Sequence, residues 1–557
     1  MYLSFVKRLL AGALLAGALL AITLLPAAAT PAGADGCQFI LGFKSLHDLD
    51  PTDIGDCQDN QAFAANGDAQ QHTARGLMAW RKADNWTAFT NGNQTWINGP
   101  IGLQARLNTQ RFSWEANPDG LSVVGGGSPA SAPAAAGPTN STLAGFDGKP
   151  DGRFGGIQVS DVGVANATDL GLSWTRELYL FDALPSFDPS RFNSISTDQR
   201  LPPSNLREVG LINFFAAYCN GGQDKRVPCD PAAFAQFAGA LAKAKQGKVD
   251  TWLMYNEADI CAPDQAGFAW SSPNRVQDYY NYLKAGYKAI KAASPGATVL
   301  FGSVSITNSV CQNNGDEMTF WNQWLDIASH DPEAGPNNWW FDQFSLNIHK
   351  EPEKIYDLLR RYHESMQAHG FDKSIWIMEM GIPLQPDPID PGSNGNLAVN
   401  KDNQMSFLIQ AYANAIAGGA DHIGIYKMSD FPPTDPAYKT IKTAVKYMSH
   451  VTSAGKSPDN RQKYVDRQDG PEVITMKGPG FQTSVAYNRG LTPASVTIPA
   501  TSTVAWLADK YGNERQVTAQ NGAYTLALDP VNAWFDAPWG ERVRFIGGSP
   551  LMLRQAA

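Results

Sequence analysis

Two stretches of this sequence decide its fold, VDTWLMYNEAD at residues 249–259 and SIWIMEMG at residues 374–381. Each is a short apolar run with the length of a buried strand, and each run leads directly into a glutamate. Comparable runs recur along residues 153–460, and amphipathic segments of helical length separate them. This alternation of strands and helices predicts an α/β fold.

The predicted strands of this region are eight in number. They are Gly156–Ser160, Ser173–Leu180, Val209–Ala216, Val249–Tyr255, Thr298–Ser303, Phe341–Ile348, Ser374–Met378 and His422–Met428. The clearest helical segments between them are Val276–Ala293 and Glu353–His369. Eight short apolar strands, each followed by a helix or by room for one, predict a (β/α)8 TIM barrel over residues 153–460.

Three further regions flank the predicted barrel. Residues 36–116 are rich in aromatic side chains and predict a small module of unknown function. Residues 117–152 are rich in Gly, Ser, Pro and Ala, which cannot bury a core, and predict a flexible linker. Residues 461–557 show short alternating runs separated by glycine turns, and they predict a small antiparallel β-sandwich.

The N-terminus has the pattern of a secretory signal. Lys7 and Arg8 precede an apolar stretch, residues 9–25, and small residues follow at 27–29. A basic region, an apolar region and an A-x-A site in this order predict a signal peptide at residues 1–29. We therefore expect a secreted protein without stable membrane insertion after cleavage. The alternative is an uncleaved N-terminal anchor that leaves the protein facing outside, because about 18–20 apolar residues can span a bilayer.

Composition excludes other classes of protein. The chain has 557 residues, of which 43% are hydrophobic and only 17% are charged, so most of it should fold. The net charge is −9, and no block of Lys and Arg stands out, so nucleic-acid binding is not expected.

Six cysteines in an exported chain predict three disulfides, because disulfides form in oxidising compartments. A zinc site is a poor alternative, because the spacing of the cysteines does not fit one. The predicted pairs are Cys37–Cys57, Cys219–Cys229 and Cys261–Cys311. The first closes a short loop in the N-terminal module and should contribute about 3 kcal/mol. The second would close the loop after the third barrel strand. The third would join the loops after the fourth and fifth strands, which leave the barrel on the same face.

Two glutamates stand where a barrel carries its chemistry. Glu257 ends the fourth predicted strand, and Glu379 ends the seventh. An average glutamate lies on the surface, but each of these directly follows an apolar run that should be buried. The loops at the C-terminal ends of barrel strands form one face, so the two carboxylates are expected to converge.

The pair of motifs, Asn256-Glu257 and Trp376-Ile377-Met378-Glu379-Met380-Gly381, resembles the clan A glycoside hydrolases, the superfamily of many cellulases, mannanases and β-xylosidases. The resemblance covers about residues 152–550. It implies that Glu257 is the general acid/base and Glu379 the nucleophile of a retaining β-glycosidase. A retaining enzyme needs two carboxyl groups about 5–5.5 Å apart, one protonated and one ionised.

The same resemblance implies roles in substrate binding. Asn256 matches an asparagine that contacts the sugar 2-hydroxyl, and Arg176 matches an arginine that orients the nucleophile. His349 resembles a sugar-contacting histidine, with a plain core histidine as the alternative. Tyr426 stands where the family usually has a tryptophan as sugar platform, and packing is its alternative role.

Two departures from the family pattern weaken any assignment of substrate. Ala258 follows Glu257 where the family usually has proline, and the family's common His-x-Tyr reads His349-Lys350-Glu351 here.

Trp270, in the loop after the fourth strand, is the best candidate for a sugar platform. Most of the other tryptophans considered for this role are expected to be core residues, and only one or two of all the candidates are expected to line the cleft. These others are Trp252, Trp321, Trp324, Trp339 and Trp340.

The leading hypothesis is thus a secreted retaining glycoside hydrolase that acts on β-linked oligosaccharides or polysaccharides. The alternative is a non-catalytic carbohydrate-binding or cell-surface protein on a degenerate barrel. A metal-dependent hydrolase ranks third, because the sequence lacks His/Asp ligand clusters. No P-loop or dinucleotide fingerprint occurs, and we expect neither a metal nor a cofactor.

Overall fold

The structure is a computed structural model. It describes residues 36–49, 51–64, 66–82, 86–92, 94–99, 102–108, 110–112, 122–124, 143–157, 163–180, 206–213, 230–260, 274–305, 317–349, 352–382, 384, 399–459, 470–531, 533–536 and 542–557. They form two compact units, 36–124 and 143–557. The predicted signal segment, residues 1–29, and the middle of the predicted linker, residues 125–142, lie outside the described residues.

The first unit combines two short helices with antiparallel strands. The helices are Leu41–Leu49 and Pro51–Ile54. Six strands follow and pair in chain order: Ala62–Phe63, Ala69–Thr73, Gly76–Arg81, Trp86–Thr90, Gln94–Gly99 and Gly102–Leu107. Two further strands, Gln110–Phe112 and Ser122–Val124, pair in parallel, and the second of them lies within the predicted linker.

Aromatic and aliphatic side chains build the core of this unit. Phe43, Met78 and Phe89 are almost completely buried. The predicted disulfide Cys37–Cys57 is confirmed, with 6.1 Å between its Cα atoms. The other four cysteines lie outside the described residues, so the pairs Cys219–Cys229 and Cys261–Cys311 stay predictions.

The second unit contains a parallel sheet of nine strands. Their order across the sheet is Thr298–Leu300, Val249–Met254, Arg207–Asn213, Trp174–Leu180, Phe154–Ile157, Ala420–Ile425, Ile375–Met380, Phe344–Ile348 and Val304–Ser305. Each of the eight predicted strands has a counterpart in this sheet, with bounds that differ by a few residues. Most of them are apolar runs that can be buried on both faces.

The two ends of the sheet belong to one piece of chain. Thr298–Leu300 pairs with the fourth strand, and Val304–Ser305 pairs with the sixth. The fifth strand, predicted as the single segment Thr298–Ser303, is thus split into two short pieces, the second of which lies just beyond the predicted end. Two isolated parallel bridges, Asn256 with Ser303 and Leu300 with Gln343, continue these pairings. The sheet therefore curls back on itself and fits a TIM-like barrel.

Helices follow most of the strands. They are Val164–Asp169, Pro231–Ala244, Arg275–Ala293, Thr319–Ser329, Pro352–Ala368, Lys401–Gly418 and Pro436–Met448, with 3-10 turns at Gly335–Trp340 and Met428–Asp430. The starts of Pro231–Ala244 and Pro436–Met448 are specified locally. The side chains of Asp230 and Asp435 each accept a hydrogen bond from a first-turn N–H, and a proline follows each of them.

Large apolar side chains fill the interior of the curled sheet. The buried members of this cluster are Ile157, Trp174, Val209, Leu211, Leu253, Leu300, Trp376 and Met378. Trp174 and Trp376 pack edge to face, with 5.0 Å between ring centroids. The interior is thus a packed core, and polar chemistry is left to the ends of the strands.

The C-terminal region is an antiparallel β-structure. A six-stranded sheet has the order Ser453–Ser457, Pro471–Gly478, Phe481–Asn488, Leu551–Ala556, Val504–Ala508 and Glu514–Thr518. Two ribbons pair Ala494–Pro499 with Ala523–Leu528 and Ala533–Asp536 with Arg542–Ile546. The sheet begins before the predicted boundary at 460. The prediction missed its first strand, SAGKS, because that segment lacks an apolar pattern. The face-to-face packing of a sandwich stays a prediction.

Contacts of two lysines join this β-structure to the helix Lys401–Gly418. Lys456 contacts Glu472 at 3.0 Å, with both side chains at most 2% exposed, and it donates a hydrogen bond to Asn414 of the helix Lys401–Gly418. Lys510 contacts Asp402 of the same helix at 2.7 Å. Such buried charges are stable only with complete partners. In the described part of the chain, no helix has the length and apolar character to cross a membrane.

Candidate active site

Polar side chains from several strands meet at the C-terminal end of the curled sheet. Arg176 lies in Trp174–Leu180 and Glu379 in Ile375–Met380, while Glu257 and His349 come just after their strands. Because all these strands run parallel, their C-terminal ends lie on one face. The structure therefore brings together the two glutamates that the sequence places far apart.

An unusual backbone conformation presents Glu257. Its φ is 57° and that of Tyr255 is 77°, both in the left-handed region that non-glycine residues seldom adopt. The Glu257 N–H donates to the Ser303 carbonyl at 2.7 Å, and the Tyr255 N–H donates to the Ile212 carbonyl at 2.9 Å. Strained residues of this kind concentrate at functional sites and need firm support around them.

Glu379 is paired with a buried arginine. Arg176 Nη1 lies 2.5 Å from Glu379 Oε1, and both side chains are less than a tenth exposed. His349 Nε2 lies 3.5 Å from the other carboxylate oxygen. Burial alone would raise the pKa of Glu379, but Arg176 and His349 outweigh it and hold the pKa below its ordinary value. The Glu379 carboxylate is therefore ionised at neutral pH.

Glu257 experiences the opposite electrostatic environment. Its burial and the negative charge of Glu379 raise the pKa of Glu257 to about 7. A hydrogen bond from Asn347 Nδ2 to Glu257 Oε1, at 2.9 Å, opposes this shift but does not cancel it. The site thus contains one carboxylate and one carboxyl group that keeps its proton up to about neutral pH.

His349 interacts electrostatically with both glutamates. Burial alone would lower the pKa of His349, but its contact with Glu379 raises the pKa above its ordinary value. Its ring also packs edge to face on Tyr426, with 5.3 Å between ring centroids. His349 therefore lies beside Glu379 at the site, and its contact with a sugar stays a prediction.

Asn256 and Asn347 are hydrogen-bonded to each other and to the charged groups of the site. Asn256 Oδ1 accepts from Arg176 Nη1 and from Asn347 Nδ2, each at 3.3 Å. Asn347 is completely buried and is missing from the residues predicted from the sequence. The one signal for it was a lone amide in the apolar strand Phe344–Ile348, directly before His349.

Tyr426 borders the site where its strand, Ala420–Ile425, ends. It is partly buried and packs on the apolar cluster inside the sheet. Burial and the charge of Glu379 raise the pKa of Tyr426 above its ordinary value, so its phenol stays neutral. Gly381 lies against it: a Cβ at Gly381 would be 2.6 Å from the Tyr426 carbonyl oxygen. The peptide bond from Tyr426 to Lys427 is cis.

Most of the tryptophans considered as sugar platforms are core residues. Trp252, Trp321, Trp324 and Trp340 are fully buried. Trp321 and Trp324 lie three residues apart on one helix face and stack, with 5.5 Å between ring centroids. Trp339 stacks on Phe371 in the turn that precedes the sixth strand. Four of the five are thus packing residues, whereas Trp270, the best candidate, lies outside the described residues, and its role stays a prediction.

The distance between the glutamates decides what chemistry is feasible. One carboxylate oxygen of Glu257, one of Glu379 and one ring nitrogen of His349 all lie within 4.8 Å of one another. Inverting glycosidases separate their carboxyl groups by about 6.5–9.5 Å to admit water, whereas retaining enzymes keep them about 5–5.5 Å apart. The spacing here fits attack by one carboxylate while the other group transfers a proton.

These three side chains could also offer ligand atoms to a divalent cation. Arg176 already contacts Glu379, so a metal ion would compete with its guanidinium for the carboxylate. The expectation that the site works without a metal or a cofactor stays a prediction.

Comparison with known proteins gives structural likenesses only. No family model matches the sequence, and no curated protein matches it. The chain is similar to a family 39 glycoside hydrolase from Bacteroides cellulosilyticus WH2, with 12% identity, coverage of 87% of this chain and 89% of that chain, and a TM-score of 0.47. It is also similar to a GH30 endoxylanase from Clostridium papyrosolvens C71, with 12% identity, coverage of 74% and 98%, and a TM-score of 0.46.

A third similar structure is a β-porphyranase of glycoside hydrolase family 86 from Bacteroides plebeius, with 11% identity, coverage of 75% of each chain and a TM-score of 0.45. Because each TM-score lies below 0.5, the proposed function does not rest on these likenesses.

Proposed function

We propose that this chain is a secreted retaining glycoside hydrolase that cleaves β-glycosidic bonds by double displacement. One observation carries the proposal: Glu257 and Glu379 lie within 4.8 Å of each other, with their pKa values shifted in opposite directions. A pair of titratable groups whose environments separate their pKa values in this way is suited to act as acid and nucleophile.

In the first step, Glu379 attacks the anomeric carbon as the bond to the leaving oxygen breaks. Glu257 gives its proton to that oxygen, so the aglycone leaves as a neutral alcohol. The sugar is then an ester of Glu379, and Glu257 is ionised. In the second step, Glu257 takes a proton from water, whose oxygen attacks the anomeric carbon and releases Glu379. The configuration at the anomeric carbon is inverted twice and hence retained.

The neighbouring residues serve these two steps. Arg176 keeps Glu379 ionised and holds it in place through the 2.5 Å contact. Asn347 donates to the Glu257 carboxyl and fixes its orientation. Asn256 is proposed to bind the sugar 2-hydroxyl, and His349, Tyr426 and Trp270 are proposed to contact the sugar, as the resemblance implies.

Secretion and the class of substrate belong to the same proposal. The basic, apolar and small residues at positions 7–29 support export of the chain. A neutral oligosaccharide or polysaccharide suits a site in which Glu379 is paired with Arg176 and His349. The complete (β/α)8 barrel and the C-terminal β-sandwich are part of this proposal too.

A mechanism-based trap tests the proposal. The purified chain is incubated with 2-deoxy-2-fluoro β-glycosides of glucose, xylose, galactose and mannose and of their β-linked disaccharides, each with a dinitrophenyl leaving group. We expect one of them to label Glu379 covalently, as read by mass spectrometry of peptides. If no sugar labels Glu379 and none of the parent glycosides is hydrolysed, the non-catalytic carbohydrate-binding alternative replaces this proposal.

The pH dependence of kcat/KM should be bell-shaped, with its basic limb near neutrality. Activity needs Glu257 protonated, and its pKa of about 7 predicts that activity falls as pH rises through about 7. Activity also needs Glu379 ionised, and its lowered pKa places the acidic limb below the ordinary pKa of a glutamate. Initial rates at low substrate concentration across the pH range measure both limbs. An activity that still rises above neutral pH would contradict the assignment.

A further inference from the structure

Asp259 is a buried carboxyl group close to the site that the proposed mechanism does not use. It lies two residues after Glu257 and is 8% exposed. Its Oδ1 accepts a hydrogen bond from the backbone N–H of Ser305 at 2.7 Å. Ser305 ends the strand Val304–Ser305, so the bond crosses from the loop after the fourth strand to the end of the fifth.

A second contact joins the same two segments. The Glu257 N–H donates to the Ser303 carbonyl at 2.7 Å, next to the parallel bridge between Asn256 and Ser303. The loop is therefore attached to the fifth strand on both sides of Ala258, by its backbone at Glu257 and by the side chain of Asp259. The Ile260 N–H closes the turn by donating to the Glu257 carbonyl at 3.1 Å.

The backbone of Glu257 needs this attachment. Residues with positive φ cost about 1–3 kcal/mol each and persist only where the surroundings hold them in place. Tyr255 and Glu257 both have positive φ, and neither is a glycine. The backbone N–H of Tyr255 is held by Ile212, but beyond Glu257 the side chain of Asp259 provides the attachment to the neighbouring strand.

We propose that Asp259 is a positioning residue for Glu257, because its bond to Ser305 holds the loop in the conformation that aims the Glu257 carboxyl at the leaving oxygen. This inference rests on the proposed function, in which Glu257 is the general acid. A shift of about 1 Å in a catalytic group can reduce the rate about 100-fold.

Two substitutions of Asp259 can distinguish a geometric role of this side chain from an electrostatic one. Burial raises the pKa of Asp259, and the titratable groups that face it within the described residues are Glu257, Arg275 and Tyr279. Asparagine at this position keeps an oxygen that can accept from the Ser305 N–H but carries no charge. Alanine removes the acceptor as well, so the two substitutions separate position from charge.

The test compares substrates whose leaving groups differ in their need for a proton. Dinitrophenolate departs unprotonated, whereas an unsubstituted phenolate or an alkoxide needs the general acid. We expect Asp259→Ala to lower kcat/KM about 100-fold for the phenyl glycoside but no more than about 3-fold for the dinitrophenyl glycoside of the same sugar. Asp259→Asn should restore most of the loss with the phenyl glycoside.

Asp342 offers a matched control. Its Oδ2 accepts from the backbone N–H of Val299 at 2.8 Å, which is the same kind of bond at the opposite end of the split fifth strand. Asp342→Ala should lower the melting temperature without a loss that depends on the leaving group. If Asp259→Ala does not fold, Asp259→Ser, whose hydroxyl is too short to reach Ser305, is measured in its place.

The outcomes separate this inference from the proposed function. Equal losses for both leaving groups in Asp259→Ala, or an Asp259→Asn variant as impaired as the alanine variant, would overturn the positioning role while wild-type activity stands. A wild-type chain that hydrolyses no glycoside of the panel would overturn the proposed function and this inference together.

Discussion

The Glu379→Gln variant is expected to lose about four to six orders of magnitude in kcat for any glycoside that the wild-type chain hydrolyses, as seen when a covalent nucleophile is removed. Glutamine has nearly the same size as glutamate but cannot form the glycosyl ester. It also leaves Arg176, which now lies 2.5 Å from a carboxylate oxygen, without an ionic partner in a buried site. Rates with a dinitrophenyl glycoside measure the loss.

Glu379→Ala adds a chemical signature to this prediction. Removing the side chain leaves space for a small anion on the face of the sugar opposite the leaving group. With azide and a dinitrophenyl β-glycoside, the variant should therefore form the α-glycosyl azide, which nuclear magnetic resonance identifies. The control is Glu333→Gln, because the Glu333 side chain is 54% exposed and pairs with surface lysines. A Glu379→Gln variant that keeps the activity of this control would refute the assignment of the nucleophile.

The sequence predicts the strands of the curled sheet well because burial on both faces produces continuous apolar runs. The run before Glu257 and the run around Glu379 are both strands in the structure, with bounds Val249–Met254 and Ile375–Met380. The fifth strand is the exception. The regular pairing is interrupted between Leu300 and Val304, where Phe301 and Gly302 are buried. Nothing in the local sequence pattern marks this interruption.

Polar residues of the site are harder to predict than the glutamates. Asn347 and Asp259 each stand within or just after an apolar run, as Glu257 does, but amides and aspartates at such positions also serve as ordinary caps and turns. Their roles depend on contacts with residues distant in sequence, such as the bond from Asn347 to Glu257. The positive φ of Tyr255 and Glu257 is likewise imposed by the neighbouring strands.

Tryptophan presents the opposite difficulty, because the sequence offers more candidates than the site can use. Its chemistry suits a sugar platform wherever it is exposed, so the sequence offers several candidates. In the structure, the helix Thr319–Ser329 turns Trp321 and Trp324 inward, because residues three apart on a helix share one face. A side chain's chemistry is visible in the sequence, but the face it occupies depends on which side of its helix meets the sheet.

Glu257→Ala is expected to lower kcat/KM by about 100- to 10,000-fold for glycosides with poor leaving groups, which is the usual contribution of a general acid. The burial and the neighbouring Glu379 that raise the pKa of Glu257 to about 7 are what keep its proton available. Alanine cannot donate, so the basic limb of the pH profile near 7 should disappear as well. Dinitrophenyl glycosides, which need no proton, should retain most of the wild-type kcat/KM.

The second step gives an independent check of the same residue. Without Glu257 as base, water attacks the glycosyl ester slowly, so the ester on Glu379 should accumulate and become visible by mass spectrometry. Azide needs no base, and it should release the sugar as the β-glycosyl azide, of opposite configuration to the product of Glu379→Ala. The control is Asp342→Ala, which removes the acceptor of the Val299 N–H and leaves both glutamates in place. It should form neither glycosyl azide. An α-azide from Glu257→Ala would mean that the roles of the two glutamates are exchanged.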